Sequence, residues 1–301
     1  MPFIGEIAAV ACSATSSAAI TIFTSISGKV GVYRSMLLRF FFAMIVIGII
    51  HYLATGVFLE PYETRARLYY IILSGLIGFA IGDLFLFRSS VLLGPRLGTL
   101  IFITYVPMAT LIAIPALGEV LKAGAVIGML VTLAGIVLVV MTRRGDADQN
   151  NFVPQKLALG IFLGLMAALC QAVALVLAKV GMQGSATSTV NALFVRLMAA
   201  FAGGLVIGLV SGWTKGFFKD IAEKRVVIWT AVGTFVGPLL SVWLSLIAIR
   251  YTYTGIATTL MALTPITIIP IAQITHKEKI TPQMIIGTLI AVAGVALLFL
   301  V

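Results

Sequence analysis

"AVIGMLVTLAGIVLVV" (residues 125–140) and "QMIIGTLIAVAGVALLFL" (residues 283–300) are two apolar stretches that share one pattern of glycines. Glu119, Gly128 and Gly135 are spaced nine and then seven residues apart, and Glu278, Gly287 and Gly294 repeat that spacing 159 residues later. The agreement extends upstream. Arg39 in "MLLRFFFA" corresponds to Arg196 in "LFVRLMAA" at an offset of 157, and Cys12 corresponds to Cys170 at 158. Pro107 and Pro265 precede the shared glutamates by twelve and thirteen residues. Small changes in loop length account for such drifts. The chain reads as a duplication, with one repeat over 1–145 and a second over 155–301, joined through "TRRGDADQNNFVPQK" (142–156).

Composition says where these repeats live. Of 301 residues 61% are hydrophobic and only 10% are Asp, Glu, Lys or Arg, where a soluble domain carries about 25% charged residues. The mean hydropathy of +1.16 points the same way. So few polar side chains cannot solvate a globular surface, and the chain is an integral membrane protein. Its net charge of +10 reflects Lys and Arg at span ends, where they meet anionic lipid and set orientation. No basic run interleaved with aromatics suggests nucleic acid as a partner.

A helix crosses the bilayer core in about 20 apolar residues. Windows of this kind fall at 4–27, 30–54, 68–91, 96–116, 121–141, 157–180, 189–211, 226–249, 254–275 and 282–301. None has the short alternating pattern of a membrane barrel. Pro95, Pro154 and Pro282 sit where they would open helices, with Thr281 as an N-cap. The first window has no basic flank, so it is expected to be a retained span rather than a cleaved signal. The expected fold is all-α, with ten transmembrane helices. Five spans per repeat is an odd number, so the second repeat must enter the membrane from the opposite side. Inverted repeats are a recurrent plan of secondary transporters, with substrate bound near the midplane.

Ionisable groups are sparse, and one stands out. Asp83, in "AIGDLFLFR" (80–88), is the sixteenth residue of its window, about 22 Å along a helix of 1.5 Å rise. The other nine acidic residues fall at window ends or in loops. A carboxylate at that depth has three readings: a permanent clasp to an arginine, a proton carrier, or a contact for a substrate amine or hydroxyl. Arg88 is a poor partner, because ion pairs along a helix use i+3 or i+4. Arg39 and Arg196 on other helices are nearer in depth. Each is also read as a snorkelling anchor, and Glu119 and Glu278 as repeated structural positions. At an offset of 158 the counterpart of Asp83 is Ser241, and that of Tyr105 is Leu263.

Polar positions that differ between repeats are the candidates for substrate contact, because fold-keeping features should recur. The first span carries Ser13, Thr15, Ser16, Ser17, Thr21, Thr24 and Ser25, whereas the corresponding stretch near Cys170 offers only Gln171. Some of these hydroxyls are expected to bond back to their own helix. Trp243 either lines a cavity or faces lipid. Pro107 with Pro115, and Pro265 with Pro270, interrupt the fourth and ninth windows and are read as gates or as simple curvature. Cys12 and Cys170 form no metal-ligand spacing, and no cofactor is expected. His51 and His276 lie near span ends, and neither H-E-x-x-H nor G-x-S-x-G occurs, so an intramembrane enzyme fits poorly. No Walker loop supports an ATP-driven pump.

The chain resembles the drug/metabolite transporter superfamily, in its ten-helix form with two EamA-type repeats. The resemblance rests on Arg39 and Arg196, on Pro107 and Pro265, and on the endings "PMATLIAIPALGEVLKAGAVIGMLVTLAG" and "PITIIPIAQITHKEKITPQMIIGTLIAVAG". It covers essentially the whole chain, and Gly82-Asp83 marks a recognisable subset. It implies a secondary active exporter of small organic metabolites such as amino acids or drugs, in a bacterial inner membrane, with protons as a coupling partner. A metabolite importer, or a lipid-handling or structural membrane protein, is the alternative.

Orientation is read two ways. Setting Arg39 and Arg196 aside, loops on one face hold thirteen Lys and Arg and those on the other hold five. The positive-inside rule then puts both termini outside, while the resemblance implies both inside. An Asn150→Cys variant treated with an impermeant maleimide on intact cells distinguishes them. Labelling places the 142–156 connection outside, and protection places it in the cytoplasm.

Overall fold

The computed structural model describes residues 3–142, 154–183, 188–212, 223–264, 266–267 and 282–300. Among them all regular structure is helical. In the first repeat α1 is Ile4–Val30, α2 is Val32–Thr55 and α3 is Arg65–Gly75. A π-helical segment, Leu76–Gly82, continues directly into α4, Asp83–Phe102. Then come α5, Tyr105–Leu117, and α6, Ala123–Thr142. The second repeat has α7, Pro154–Met182, α8, Thr189–Ser211, and α9, Lys224–Thr234. Its own π segment, Phe235–Ser241, leads into α10, Val242–Tyr251, followed by α11, Thr254–Met261, and α12, Pro282–Leu300.

Five helices are long and apolar enough to cross a bilayer: Tyr33–Thr55, Arg65–Ser90, Leu157–Met182, Thr189–Ser211 and Val227–Tyr251. Shorter apolar helices cover Ile4–Ala19, Tyr105–Leu117, Ala123–Leu138 and Ile285–Leu297. With α11, which begins the ninth window, these account for the ten spans of an inverted two-repeat membrane protein. Leu53, Leu111, Leu130, Leu209 and Val210 are exposed, which suits faces turned to lipid.

Local irregularities repeat as faithfully as the glycines. The π segments start at Leu76 and Phe235 and end at Gly82 and Ser241, both 159 residues apart. The fourth span breaks at Ile103–Thr104, where Thr104 N–H bonds Ile101 O at 3.1 Å. The ninth breaks at Ala262–Leu263, where Leu263 N–H bonds Leu260 O at 3.3 Å. Thr104, in the first break, and Thr264, just after the second, each bond back to the preceding turn, Thr104 to Ile101 O at 2.7 Å and Thr264 to Met261 O at 2.9 Å. Through this region the register is therefore 159 rather than 158. Two pairings change: Asp83 corresponds to Val242 and Tyr105 to Thr264, while Ser241 corresponds to Gly82.

The prolines divide. Pro154 and Pro282 open α7 and α12 as expected, because the first turn of a helix has no use for the missing N–H. Pro95 does not open a helix but lies inside α4. Within a membrane a continuous helix satisfies nearly all of its own backbone groups, and one lost hydrogen bond is tolerated. Pro107 falls in the first turn of α5, while Pro115 lies inside it. Pro265, Pro270, Glu278 and Thr281 are outside the described residues.

The halves do not sit side by side as separate lobes. α1 packs on α9, the second π segment, α10 and α11, all from the second repeat; α7 packs on α3, the first π segment, α4 and α5, all from the first. α2 meets α8, and α6 meets α12 along their lengths. That last seam uses the glycines that reveal the repeat. A Cβ on Gly135 would lie 2.6 Å from Gly287 O, and one on Gly294 would lie 2.8 Å from Gly128 O. Small residues at such crossings let backbones approach, which drives association where lipid removes the hydrophobic difference.

Gly135→Val and Gly294→Val should each lower the unfolding temperature of the purified protein sharply. Overpacking against backbone costs about 1–3 kcal/mol or more, measurable by thermal unfolding in detergent. The exposed Leu289→Ala should stay within about 0.5 kcal/mol of the parent.

Candidate functional site

Asp83 begins α4 directly after the first π segment, and its Oδ2 forms an ion pair with Arg39 Nη2 from α2. Both side chains are largely buried. A π insertion shifts the angular register of everything after it, so it sets the direction in which Asp83 leaves the helix. Gly82, just before it, packs against Cys170 of α7, where a Cβ would lie 3.2 Å from the cysteine Cβ. The second repeat makes the reciprocal contact. Ser241, in the position of Gly82, bonds Cys12 of α1, with Oγ 3.4 Å from Sγ and 3.2 Å from the Cys12 carbonyl.

The two repeated arginines lie on either side of an aromatic pair. Arg39 stands over the Phe40 ring at 4.9 Å, the Phe40 and Phe79 centroids are 5.8 Å apart, and Arg196 stands over Phe79 at 4.7 Å. Arg39 is the eighth residue of α2 and Arg196 the eighth of α8, each about 10 Å from the start of its helix. Their electrostatic situations differ. Arg39 has Asp83, whereas Nε, Nη1 and Nη2 of Arg196 are buried with no hydrogen-bond partner among the described residues.

Hydroxyls of α1 split into two groups. Ser13 bonds its own helix at Val10 O (2.7 Å), and Thr15 bonds Ala11 O (3.0 Å) and Cys12 O (3.1 Å). Ser16 instead meets Ser241 Oγ, and Ser17 reaches Thr264 O at 2.9 Å and the Thr267 hydroxyl beside the ninth-span break. The side chains of Thr21, Thr24 and Ser25 are outside the described ones. Tyr105 is buried and donates to Thr258 O at 3.2 Å. Trp243 is half-buried, and its Nε1–H donates to Thr189 Oγ1 at 3.0 Å. Gln171 and Arg196 both approach Gly78, where a Cβ would be 3.9 Å from Gln171 Oε1 and 3.8 Å from Arg196 Nη2. The chain thus brings Asp83 to Arg39, Ser16 and Cys12 to Ser241, and both Gln171 and Arg196 to Gly78. Ser13 and Thr15 turn to their own backbone.

Two further clusters have no sequence-local signal, because their members come together only through the fold. Glu119 accepts from Thr254 N–H (2.7 Å) and Oγ1–H (2.8 Å), capping α11, and pairs with Lys179 Nζ at 2.7 Å. Gly118 makes this possible by ending α5 in a left-handed conformation, φ 65°. Thr252 extends the cluster to Glu6 at 2.6 Å. On another loop, the Glu60 carboxylate accepts from Ser188 N–H at 3.0 Å and Ser188 Oγ–H at 3.1 Å, and its backbone exchanges bonds with the Asn191 side chain. Nearby, burial first and the Glu60 carboxylate second push the Tyr62 hydroxyl above the ordinary phenol range.

A family model described as "EamA-like transporter family" matches residues 3–141 and again 158–300. The chain belongs to this family. No curated protein matches. A solved chain described only as "Crystal structure of protein" superposes with a TM-score of 0.73 at 20% identity, covering 98% of this chain and 94% of its own. That likeness concerns the fold alone. Membership makes the chain a multi-pass membrane transporter of the EamA-like type, for which a small molecule and bilayer lipid are the partners.

Lys179→Met should destabilise this EamA-like protein by about 3 kcal/mol, because it strands a buried Glu119 carboxylate. The double variant Lys179→Met, Glu119→Gln should recover much of the loss. A thermal-unfolding double-mutant cycle in detergent measures the coupling.

Proposed function

We propose that the protein is a secondary active exporter of small organic metabolites, such as amino acids or drugs, in a bacterial inner membrane. It works by alternating access to a central cavity between the repeats and catalyses no covalent reaction. The observation that supports this reading is the Arg39–Asp83 pair. The glycine seam, the π segments and the span breaks recur in both halves, as features that keep a fold should. Asp83 does not recur, since Val242 occupies its place in the second repeat.

An ion pair deep in a span has a cost that a purely structural contact need not carry. It also has two states. A proton on Asp83 neutralises the carboxyl and releases Arg39; loss of the proton restores the clasp. Coupling follows if the two states favour opposite openings of the cavity, because a proton can then shift the population by its differential affinity. Ser16, Ser241, Tyr105, Gln171 and Trp243 are the polar groups we assign to the cavity, with Ser13 and Thr15 as hydroxyls already bonded to α1. Pro107 and Pro265 are the assigned gates, each beside a span break. Arg196 and the two repeated glutamates hold helices in place in this reading.

Purified protein in proteoliposomes should transport its substrate faster with a pH gradient than without. Asp83→Asn, verified as folded by gel filtration, should lose that gradient dependence. Unchanged transport and unchanged gradient dependence in Asp83→Asn would remove this residue from both coupling and substrate binding.

A further inference from the structure

Arg196 poses a problem that the rest of the interior does not. Its side chain is 1% exposed, and none of its three guanidinium nitrogens has a hydrogen-bond partner among the described residues. A buried ion left without a counter-charge costs several kcal/mol, and guanidinium cannot shed its proton to escape. The Phe79 ring at 4.7 Å offsets part of this, since a cation is attracted to an aromatic face, the more so when desolvated. It supplies no hydrogen bonds.

No described carboxylate serves instead. Asp83 is engaged by Arg39, Glu119 by Lys179 and Thr254, and Glu63 by Arg67. Glu60 is bonded to Ser188, Glu6 to Thr252, and Glu223 is exposed at the N-cap of α9. Nor does the repeat provide one, because the residue corresponding to Asp83 is Val242. Among the described residues Arg39 has an internal anion and its repeat mate has none.

Three features around Arg196 suit a guest anion. Gln171, half-buried on α7, flanks the same point on Gly78 and carries an amide that can donate. Phe79 offers an apolar face beside the cation. Asp83, four residues on from Phe79, has its charge neutralised by Arg39 and so does not repel an anion there. Planar guanidinium matches a carboxylate in bidentate geometry.

We propose that Arg196, together with Gln171, is the recognition point for the carboxylate of a transported small organic acid. This rests on the transporter reading above and narrows its substrate class, moving Arg196 from a structural role to a binding one. Occupancy completes the interior charge balance, so a carboxylate substrate stabilises the protein in the act of binding.

The test uses the purified full-length chain in detergent at constant ionic strength, with acetate, benzoate and L-phenylalanine as probes and acetamide, benzamide and L-phenylalaninamide as their uncharged-group controls. At least one carboxylate should raise the unfolding temperature saturably while its amide does not. Arg196→Lys should raise the half-saturating concentration about tenfold, as expected for loss of one charged hydrogen bond. Arg196→Gln should abolish the effect, and without ligand it should unfold no lower than the parent, because it removes an unpaired buried charge. Equal stabilisation by acid and amide, no stabilisation by any of the three acids, or a ligand-free Arg196→Gln that unfolds at markedly lower temperature would overturn the proposal. Transport in proteoliposomes separates the two readings. Carboxylate binding without transport leaves this site standing and sinks the exporter, whereas gradient-driven transport that Arg196→Gln retains does the reverse.

Discussion

The close contact between α6 and α12 is the constraint on which the remaining architecture rests. Gly135 and Gly294, packed against the backbone at Gly287 and Gly128, bring two helices to a separation that no larger residue at those two positions permits. Each helix is the last of its repeat, so their contact joins the two halves where each ends. From there the repeats interleave. α1 lies among helices of the second repeat and α7 among helices of the first. Neither half has a complete interior without the other, and the reciprocal Gly82–Cys170 and Ser241–Cys12 contacts show how closely the exchange is matched.

Such interleaving bears on how the protein can move. Two lobes hinged about a linker would shift as repeats, but here each repeat is divided between two packed groups. Helical irregularity is concentrated at a few places. The π segments and the breaks at Ile103–Thr104 and Ala262–Leu263 lie in the third, fourth, eighth and ninth spans, the same spans that receive α1 and α7. Asp83 stands at the end of one such irregularity, so its ion pair reports directly on the geometry of the third span.

Much of this was legible in the sequence because hydrophobic length and glycine spacing are local quantities. The ten windows, the duplication, and Pro154 and Pro282 as helix starts follow from such local signals, while the transporter family was recognised by its resemblance, carried by Arg39 and Arg196, Pro107 and Pro265 and the repeated endings. Register was harder. Counting from Cys12 and Cys170 suggests 158, yet the π segments keep 159, and one residue was enough to give Asp83 the wrong counterpart. Pro95 misled for a related reason: a proline marks a helix start only where other signals agree, and a membrane helix can carry one inside.

The side-chain constellations were less legible, since they depend on contacts between distant helices. Arg39 was identifiable as a candidate partner for Asp83 from depth alone, but nothing in the string separates it from Arg196. Glu119 reads as a repeated structural residue without showing that it caps α11 and holds Lys179. Ser13 and Ser16 look alike in sequence, and only the fold turns one to its own backbone and the other to Ser241.

Interleaving also says something about ancestry. A single repeat made alone would leave its first helix without the third and fourth helices it packs on. A second copy inserted in the opposite orientation would restore every one of those contacts, including the glycine seam. An ancestor of half this length would therefore have needed both orientations of one chain in the same membrane. Two copies on one chain are free of that need, and each half can then carry residues the other lacks, as Asp83 and Val242 do.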